Sequence, residues 1–379
     1  MAGTLFREHS TLWKACAEVG ARITLVGTTE ARQRSQLPWK PAPPTDMDVI
    51  LLRPLSPLRH RGHLWWWYPG LKATAASVDP NVVHIHSEPW GILVLQVLLG
   101  RALSRGRFRV CVHSADRIYH HGSRLEKLVR KAILRFVLPR IDGFVSINPT
   151  GIRVARGAGL PSSVPTEVVL GWLPDPSRFL PASSEARLRE RDLLDLPRNE
   201  VIVGLIARLV PEKGIDDAIG ALRLLGGDAP FLAVWGAGPL EARLHDVLGR
   251  GEIRGLFGGF LSLADVPRAL RACDIVLIPS RSTETSSEQF GRIAIEAQLS
   301  GSAVIAYRSG ELPFVVGEGG LLVEEGNEQE LARAIHKLST NDELRTRLAR
   351  VGQEQALRRF RPAVQAHRLI ALWTKMASG

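Results

Sequence analysis

Two cations and two carboxylates in the second half of the chain have the types and spacing to hold a ligand rich in phosphate and hydroxyl groups. Arg208 and Lys213 stand in VIVGLIARLVPEKGIDDAIGALRLL (201–225), where an apolar strand ends near Ala207 and a helix begins around Gly214. They share a loop at the strand's carboxyl edge, beside a helix N-terminus whose free N–H groups and dipole favour an anion. Taken alone, the pair reads equally well as a solvated loop with chance charges. Glu288 and Glu296 stand in SEQFGRIAIEAQLSGSAVIA (287–306), with Gly291 at the expected start of a helix. If the segment were helical throughout, eight steps of 1.5 Å would set these carboxylates about 12 Å apart. That is too far for a shared proton or for a glycosidase pair, whose carboxyls lie roughly 5–9.5 Å apart. It suits hydroxyl-bearing groups at either end of a diphosphate, with the phosphates resting on amides around Gly291 and neutralised by Arg208 and Lys213. A helix with one acid at its N-terminus and another paired internally accounts for the same two residues.

Positioning such groups takes a framework, and the chain supplies one. Short apolar, β-branched runs alternate with helical segments, the pattern of a doubly wound parallel sheet covered on both faces. Strands are expected at 21–27, 48–54, 81–87, 108–114 and 143–148, and again at 201–207, 230–236, 253–259, 274–280 and 303–309. The series is interrupted between Gly171 and Pro197, where three prolines precede a charged helical stretch; this is read as the interdomain connection. Two α/β units of similar size follow, facing a cleft at the carboxyl ends of their strands, where open α/β sheets bind ligands. A length of 379 residues fits two such domains.

Composition narrows the function classes. Hydrophobic residues make up 45% and charged residues 23%, an ordinary globular balance, but 49 Lys and Arg against 38 Asp and Glu leave a formal charge of +11. Residues 1–180 carry 24 basic and 12 acidic side chains and residues 181–379 carry 25 and 26, so the whole excess lies in the first half. Cys16, Cys111 and Cys273 are isolated, which argues against a disulfide framework or a thiolate metal site and for a reducing, cytoplasmic setting. Arg7 and Glu8 interrupt any leader-like apolar core, and the longest apolar run, Gly91 to Gly100, is far below a membrane span. His84 and His86 share a strand face without a Cys or carboxylate at ligand spacing, and His120 with His121 adds nothing, so no metal is expected. There is no phosphate-binding P-loop, and GAGPLE (236–241) lacks the glycine pattern of a dinucleotide fingerprint. Residues 101–140 hold eleven Arg or Lys and two acids, with Arg124, Lys127, Lys131 and Arg135 at three- and four-residue steps. A basic amphipathic helix there reads as a docking element for an anionic membrane surface, or as an ordinary helix with one face on its sheet. The run Trp65, Trp66, Trp67 and Tyr68, beside Arg59, Arg61 and His63, reads either as interfacial anchors or as partly buried against the sheet. No nucleic-acid module is recognisable.

Five segments then occur in order: RLVPEKGIDDAI, GAGPLE, ADVPRALRACDIVLIPS (264–280), EQFGRIAIEAQLSG and GELPFVVGEGGLLV (310–323). Together they resemble the retaining, GT-B-fold glycosyltransferases of family 4, the glycosyl transferases group 1 domain, strongly over about 195–360 and more weakly through DPNVVHIHSEPWG (79–91), FRVCVHSAD (108–116) and VVLGWLPDPSRFLP (168–181). The resemblance implies two Rossmann-like domains, an acceptor-side domain over 1–175 and a nucleotide-sugar domain over 176–360, with 361–379 as a helix packing back toward the first. It implies a glycosyltransferase that uses a nucleoside diphosphate sugar as donor, without metal or other cofactor, and acts on a lipid-linked, glycolipid or saccharide acceptor from the cytoplasm or the cytosolic face of a membrane. In that scheme Glu288 contacts the transferred sugar, Glu296 the ribose, and Arg208 and Lys213 the diphosphate, while His113 faces the donor sugar from the first domain. Phe290, Gly291, Arg292, Gly236 and Gly238, in the same motifs, would line the nucleotide-sugar. The resemblance also implies front-face displacement with the anomeric configuration retained. One departure stands out: MAGTLFREHSTLWKACAEVGARITLV begins in what reads as the first helix, so the first strand and its glycine-rich loop are missing. That keeps open a second reading, a nucleotide-sugar-binding protein of the same fold with impaired catalysis.

Overall fold

The computed structural model describes residues 10–28, 47–55, 66–103, 108–115, 123–171, 173–283 and 287–378. The Pro-rich loop at 38–46, Arg59, Arg61, His63, Trp65, His120 and His121 lie outside them.

All ten expected strands are present, with two more. In the first unit β1 (Thr24–Thr28) pairs in parallel with β2 (Asp48–Leu52) as a separate ribbon. Strands β3 (Val82–His86), β4 (Arg109–Ser114), β5 (Gly143–Ser146) and β6 (Thr166–Val168) form a parallel sheet in that order. A Rossmann-type sheet runs 3-2-1-4-5-6, so its first strand joins the second to the fourth. No strand among the described residues makes that junction, and the first described element is the helix Ser10–Glu18. Hence two sheets stand where one was expected. The second unit is complete: β7 (Ile202–Ile206), β8 (Phe231–Trp235), β9 (Gly255–Phe257), β10 (Ile275–Ile278), β11 (Ala303–Tyr307) and β12 (Gly320–Val323) run in the order β12-β11-β10-β7-β8-β9, all parallel. The strand order reverses between β7 and β10, which makes their carboxyl ends the place where such a sheet binds ligands.

The chain divides into Met1–Leu173 with Pro362–Gly379, and Pro174–Arg361. The charged stretch read as part of a connection is built into the second unit as the helix Ser184–Leu193. Its Arg191, only 4% exposed, donates to Asp274 Oδ2 at 2.6 Å and to the carbonyls of Ala272, Arg198 and Glu200. Asp274 also accepts from Arg187 at 2.8 Å and from the amide of Ile202 at 2.8 Å. One carboxylate thus ties the helix to the amino ends of β7 and β10. The helix Pro362–Ser378 lies with the first unit, where the Leu170 amide donates to Gln365 Oε1 at 2.9 Å and the helix packs on Ser10–Glu18. Among the described residues no helix is long and apolar enough to cross a membrane.

Removing one partner of a buried pair leaves the other charge uncompensated, at a cost of roughly 3–5 kcal/mol. Asp274→Ala is therefore expected to lower the unfolding free energy of the second unit, from urea titration, by that order, and Asp274→Asn, which keeps one acceptor, by less. Equal stability of Asp274→Ala and the native chain would show that Arg191 finds water instead.

Candidate functional site

The carboxyl end of β7 leads into the segment that carries Arg208 and Lys213, and two close approaches shape it. At Gly236 a β-carbon would lie 1.8 Å from the Ala207 carbonyl, and at Gly238 one would lie 2.4 Å from that of Leu209, so the loop after β8 presses on the loop after β7. The amides of Leu209 and Leu240 cross-link them through Ala237 O and Leu209 O. Farther on, the short turn Pro211–Lys213 ends at Gly214, whose φ is +67°; a β-carbon there would sit 1.9 Å from the Pro279 carbonyl. Only glycine permits that approach without strain. It brings the turn against the loop after β10, and the Arg281 amide donates to Glu212 O at 2.8 Å across the contact.

Between these loops lies a cavity of about 180 Å³ lined by Arg208, Glu212, Lys213, Ser280, Arg281, Ser287, Glu288 and Gln289. Three of the four residues singled out for catalysis in the sequence therefore meet there: Arg208, Lys213 and Glu288. Lys213 Nζ lies 2.6 Å from Glu288 Oε2, and the Gly291 amide donates to Glu288 Oε1 at 3.1 Å. Burial pushes the Glu288 carboxyl up, but the Lys213 charge and hydrogen bond, with donations from Gly291 and Ser280, outweigh it and hold the group below its usual range. Arg208 is different: its side chain is 69% exposed and faces Glu212 at 3.6 Å, an arrangement worth little in water. It can turn to an incoming anion at small cost.

Five lining residues escaped the sequence reading, and two of them are charged. Glu212 adds a second carboxylate. Arg281 adds a third cation, held by Asp217, whose Oδ2 accepts from Arg281 Nε at 2.7 Å and from Tyr307 Oη at 2.8 Å. Asp217 is 3% exposed, and its hydrogen bond raises the Arg281 guanidinium further above its already high value. The GIDDAI string offered two adjacent acids, and the helix Ile215–Leu225 decides between them by turning Asp217 inward and leaving Asp216 on the surface with Arg243.

Other expectations change. The helix is Arg292–Leu299 and Gly291 is its N-cap at φ +74°, so Glu288 precedes the helix and the spacing of 12 Å along one axis does not apply. The Gly291 amide is taken by Glu288 rather than left for a phosphate. The Phe290 ring is 9% exposed and meets Phe360 edge-on at 6.3 Å, so it packs in the core instead of lining the cavity. Glu296, on the buried face of the helix, is 7% exposed; burial raises its carboxyl to about 7 against the opposing charges of Arg292 and Arg178. Glu296, Arg292, Gly236 and Gly238 are not among the cavity's lining residues, and the two glycines act through the loop contact they allow.

His113 lies in the first unit, on β4 beside His86 of β3. The ring nitrogens of His84, His86 and His113 come within 4.8 Å of one another, a grouping of the size a metal needs. Hydrogen bonds use two of those rings otherwise. Trp373 Nε1 can only donate, so His84 Nδ1 accepts at 3.2 Å and His84 carries its proton on Nε2. That proton meets His113 Nδ1 at 3.2 Å, and His113 Nε2 donates to the Val169 carbonyl at 2.9 Å. The two tautomers are thus set end to end by their partners. A metal taking His84 Nε2 would move the proton to Nδ1, against the indole N–H.

A family profile described as "Glycosyl transferases group 1" matches residues 187–355. The 2-deoxystreptamine glucosyltransferase of Streptomyces kanamyceticus is 30% identical over 269 residues, 68% of this chain and 67% of that enzyme. The lipopolysaccharide core biosynthesis glycosyltransferase LpsE of Rhizobium meliloti is 31% identical over 177 residues, and the match spans only about half of it, 49%, and 45% of this chain. Among solved structures, Anabaena Alr3699/HepE in complex with UDP superposes with a TM-score of 0.67 at 21% identity, covering 87% of this chain and 86% of that one.

Two outcomes follow from this geometry. Micromolar Zn²⁺ is expected to leave the melting temperature unchanged, because a metal that bound the folded state would raise it by mass action; a rise would mean that the histidine chain yields to the ion. In Lys213→Met, burial dominates at Glu288 and its carboxyl moves above the usual range. In the native chain this group contributes stability that is present above the ordinary carboxylate value and lost as pH falls through its depressed folded value; in the variant stability is lost as pH rises instead. The stability gap between the two should widen between about pH 4 and pH 7, measured by thermal unfolding across a pH series. Parallel profiles would refute the pairing.

Proposed function

The chain belongs to the glycosyl transferases group 1 family and has the GT-B fold of two Rossmann-like domains, and from that premise we propose that it moves a sugar from a nucleoside diphosphate sugar, UDP-linked by preference, to a hydroxyl of a cell-envelope glycolipid, lipid-linked or polysaccharide acceptor, with the anomeric configuration retained. The observation that carries this reading is the cavity at the β7 and β10 ends, where Lys213 and Glu288 are paired at 2.6 Å beside the exposed Arg208. UDP in the HepE complex supports the donor, and the likeness to LpsE supports the acceptor class.

In the proposed reaction the bond from the anomeric carbon to the diphosphate breaks, and its electron pair leaves with the nucleotide. Negative charge grows on the departing phosphate oxygen. Arg208 and Lys213 meet it there, and cations already in place stabilise that charge without reorganising at the moment of reaction. The acceptor oxygen bonds to the same face of the sugar, and its proton passes to the departing oxygen. Glu288, kept ionised by Lys213, accepts hydrogen bonds from the sugar hydroxyls and holds the anomeric carbon in line. Glu212, the other carboxylate of the cavity, faces Arg208 and steadies that cation rather than attacking the sugar. Glu296 takes the ribose hydroxyls in this scheme.

Nucleotide release from a panel of UDP-, GDP- and ADP-sugars, with and without a glycolipid acceptor, tests the proposal. UDP release is expected, with the product anomer matching the donor by proton NMR. Removing a preorganised charge donor of this kind costs roughly 10²–10³ in kcat, and that loss is expected for Lys213→Ala and Glu288→Gln. An inverted product would sink the retaining mechanism. A melting-temperature rise with UDP-sugar but no turnover across the panel would favour a binding protein of the same fold.

A further inference from the structure

The helix Arg124–Val137 carries two apolar stripes, and only one of them is covered. It starts firmly: the Ser123 hydroxyl accepts from the Glu126 amide at 3.3 Å while the Glu126 carboxylate accepts from the Ser123 amide at 2.8 Å. Leu134 and Val137 are buried in the core of the first unit, with Ile133 packed against that core. Leu125, Leu128, Val129, Ala132 and Phe136 follow the i, i+3, i+4, i+7, i+11 sequence of a single face. At 100° per residue they fall within an arc of about 100°. That arc is turned away from the core: Leu125 is 69% exposed, Leu128 65%, Val129 42% and Phe136 49%. Single exposed leucines are ordinary, but a continuous stripe some 16 Å long marks a surface that meets something.

The residues along its flank say what. Arg124, Lys127, Lys131 and Arg135 form a ridge on the side of the stripe opposite the core, all exposed. Arg140 adds a guanidinium 4.0 Å over the Phe136 ring. Glu126 is the helix's only acid, and the cap already uses it. A protein partner for the stripe would need a matching acidic rim. An anionic bilayer offers both parts at once, a negative headgroup layer for the bases and an acyl boundary for the leucines and the phenylalanine.

We propose that the helix Arg124–Val137 docks the first unit on an anionic lipid surface, with the Leu125, Leu128, Val129 and Phe136 stripe entering the headgroup boundary and the basic ridge lying on the phosphates. This inference stands apart from the donor and acceptor proposed above, and its test needs no turnover.

Co-sedimentation of the full chain with vesicles of neutral phosphatidylcholine, and of phosphatidylcholine with 30% phosphatidylserine, reads it directly. At low salt the anionic vesicles should retain at least tenfold more protein, falling several-fold in 0.5 M NaCl as the charges are screened. Leu128→Glu and the double change Lys127→Glu with Lys131→Glu should each abolish the preference while leaving the melting temperature unchanged, since these side chains are exposed. Equal recovery on the two vesicle types overturns the proposal. Dimers in solution that Leu128→Glu disperses, with no lipid preference, also overturn it and assign the stripe to a second copy of the chain.

Discussion

The contact between Gly214 and the Pro279 carbonyl is the constraint on which the cavity depends. No side chain can stand between them, because even a β-carbon would lie 1.9 Å from that oxygen. The turn after β7 and the loop after β10 therefore run backbone against backbone, and Arg281 N to Glu212 O closes the seam at 2.8 Å. Strand order does the rest. Since β7 and β10 are neighbours in the sheet and their connections depart to opposite sides, the two loops diverge beyond the seam and leave room between them. Lys213 from one loop meets Glu288 from the other in that room.

Without ligand, every cation of the cavity is already answered: Arg208 by Glu212, Lys213 by Glu288, Arg281 by Asp217. The three pairs differ in how freely they can be shared. Arg281 is anchored by a nearly buried acid that Tyr307 also engages, so it is a fixed positive wall. Lys213 is held close and is only partly exposed, and its ammonium has further donors for a phosphate while it keeps Glu288 ionised. Arg208 is loosely paired and mobile in reach. One rigid, one bridging and one adaptable cation form a grip that need not carry bulk charge, which fits the near-neutral composition of residues 181–379, 25 basic against 26 acidic.

What the sequence made legible, and what it hid, follows from the range of the forces involved. Strands such as β7, β8, β10 and β11 showed as unbroken apolar runs because burial on both faces leaves no room for polar alternation. The two that were missed, TEV (166–168) and GLLV (320–323), are three and four residues long and sit at sheet edges, where partial exposure erases the signal. Arg208, Lys213 and Glu288 could be nominated only as a set, because the cationic segment and the acidic one complement each other while neither is decisive alone. Arg281 was not, since its place depends on Asp217, 64 residues earlier in the chain, turning inward from its helix, a tertiary fact. The place of the Phe290 ring was hidden for the converse reason: its neighbours in sequence touch the cavity, but the ring finds Phe360 in the core. The helix begins at Gly291 as the sequence suggested, and for that reason the axial spacing, which held only if Glu288 were helical too, does not apply.

The helix Arg124–Val137 bears on the charge asymmetry between the halves more directly than any count. A Rossmann-type helix that merely covers its sheet needs one apolar face, and Leu134 and Val137 with Ile133 already provide it. Its remaining surface would then be polar all round, since exposed leucines and phenylalanines gain nothing in water. Here the second stripe is as regular as the first and lies next to the bases rather than opposite them. Apolar groups beside cations match an interface that is layered in the same way, charge outermost and hydrocarbon beneath. The two readings that the sequence left level, a sheet-covering helix and a surface-docking one, are therefore not alternatives. In the proposed docking this helix has a face for each, Leu134, Val137 and Ile133 toward the core and the stripe of Leu125, Leu128, Val129 and Phe136 toward the surface.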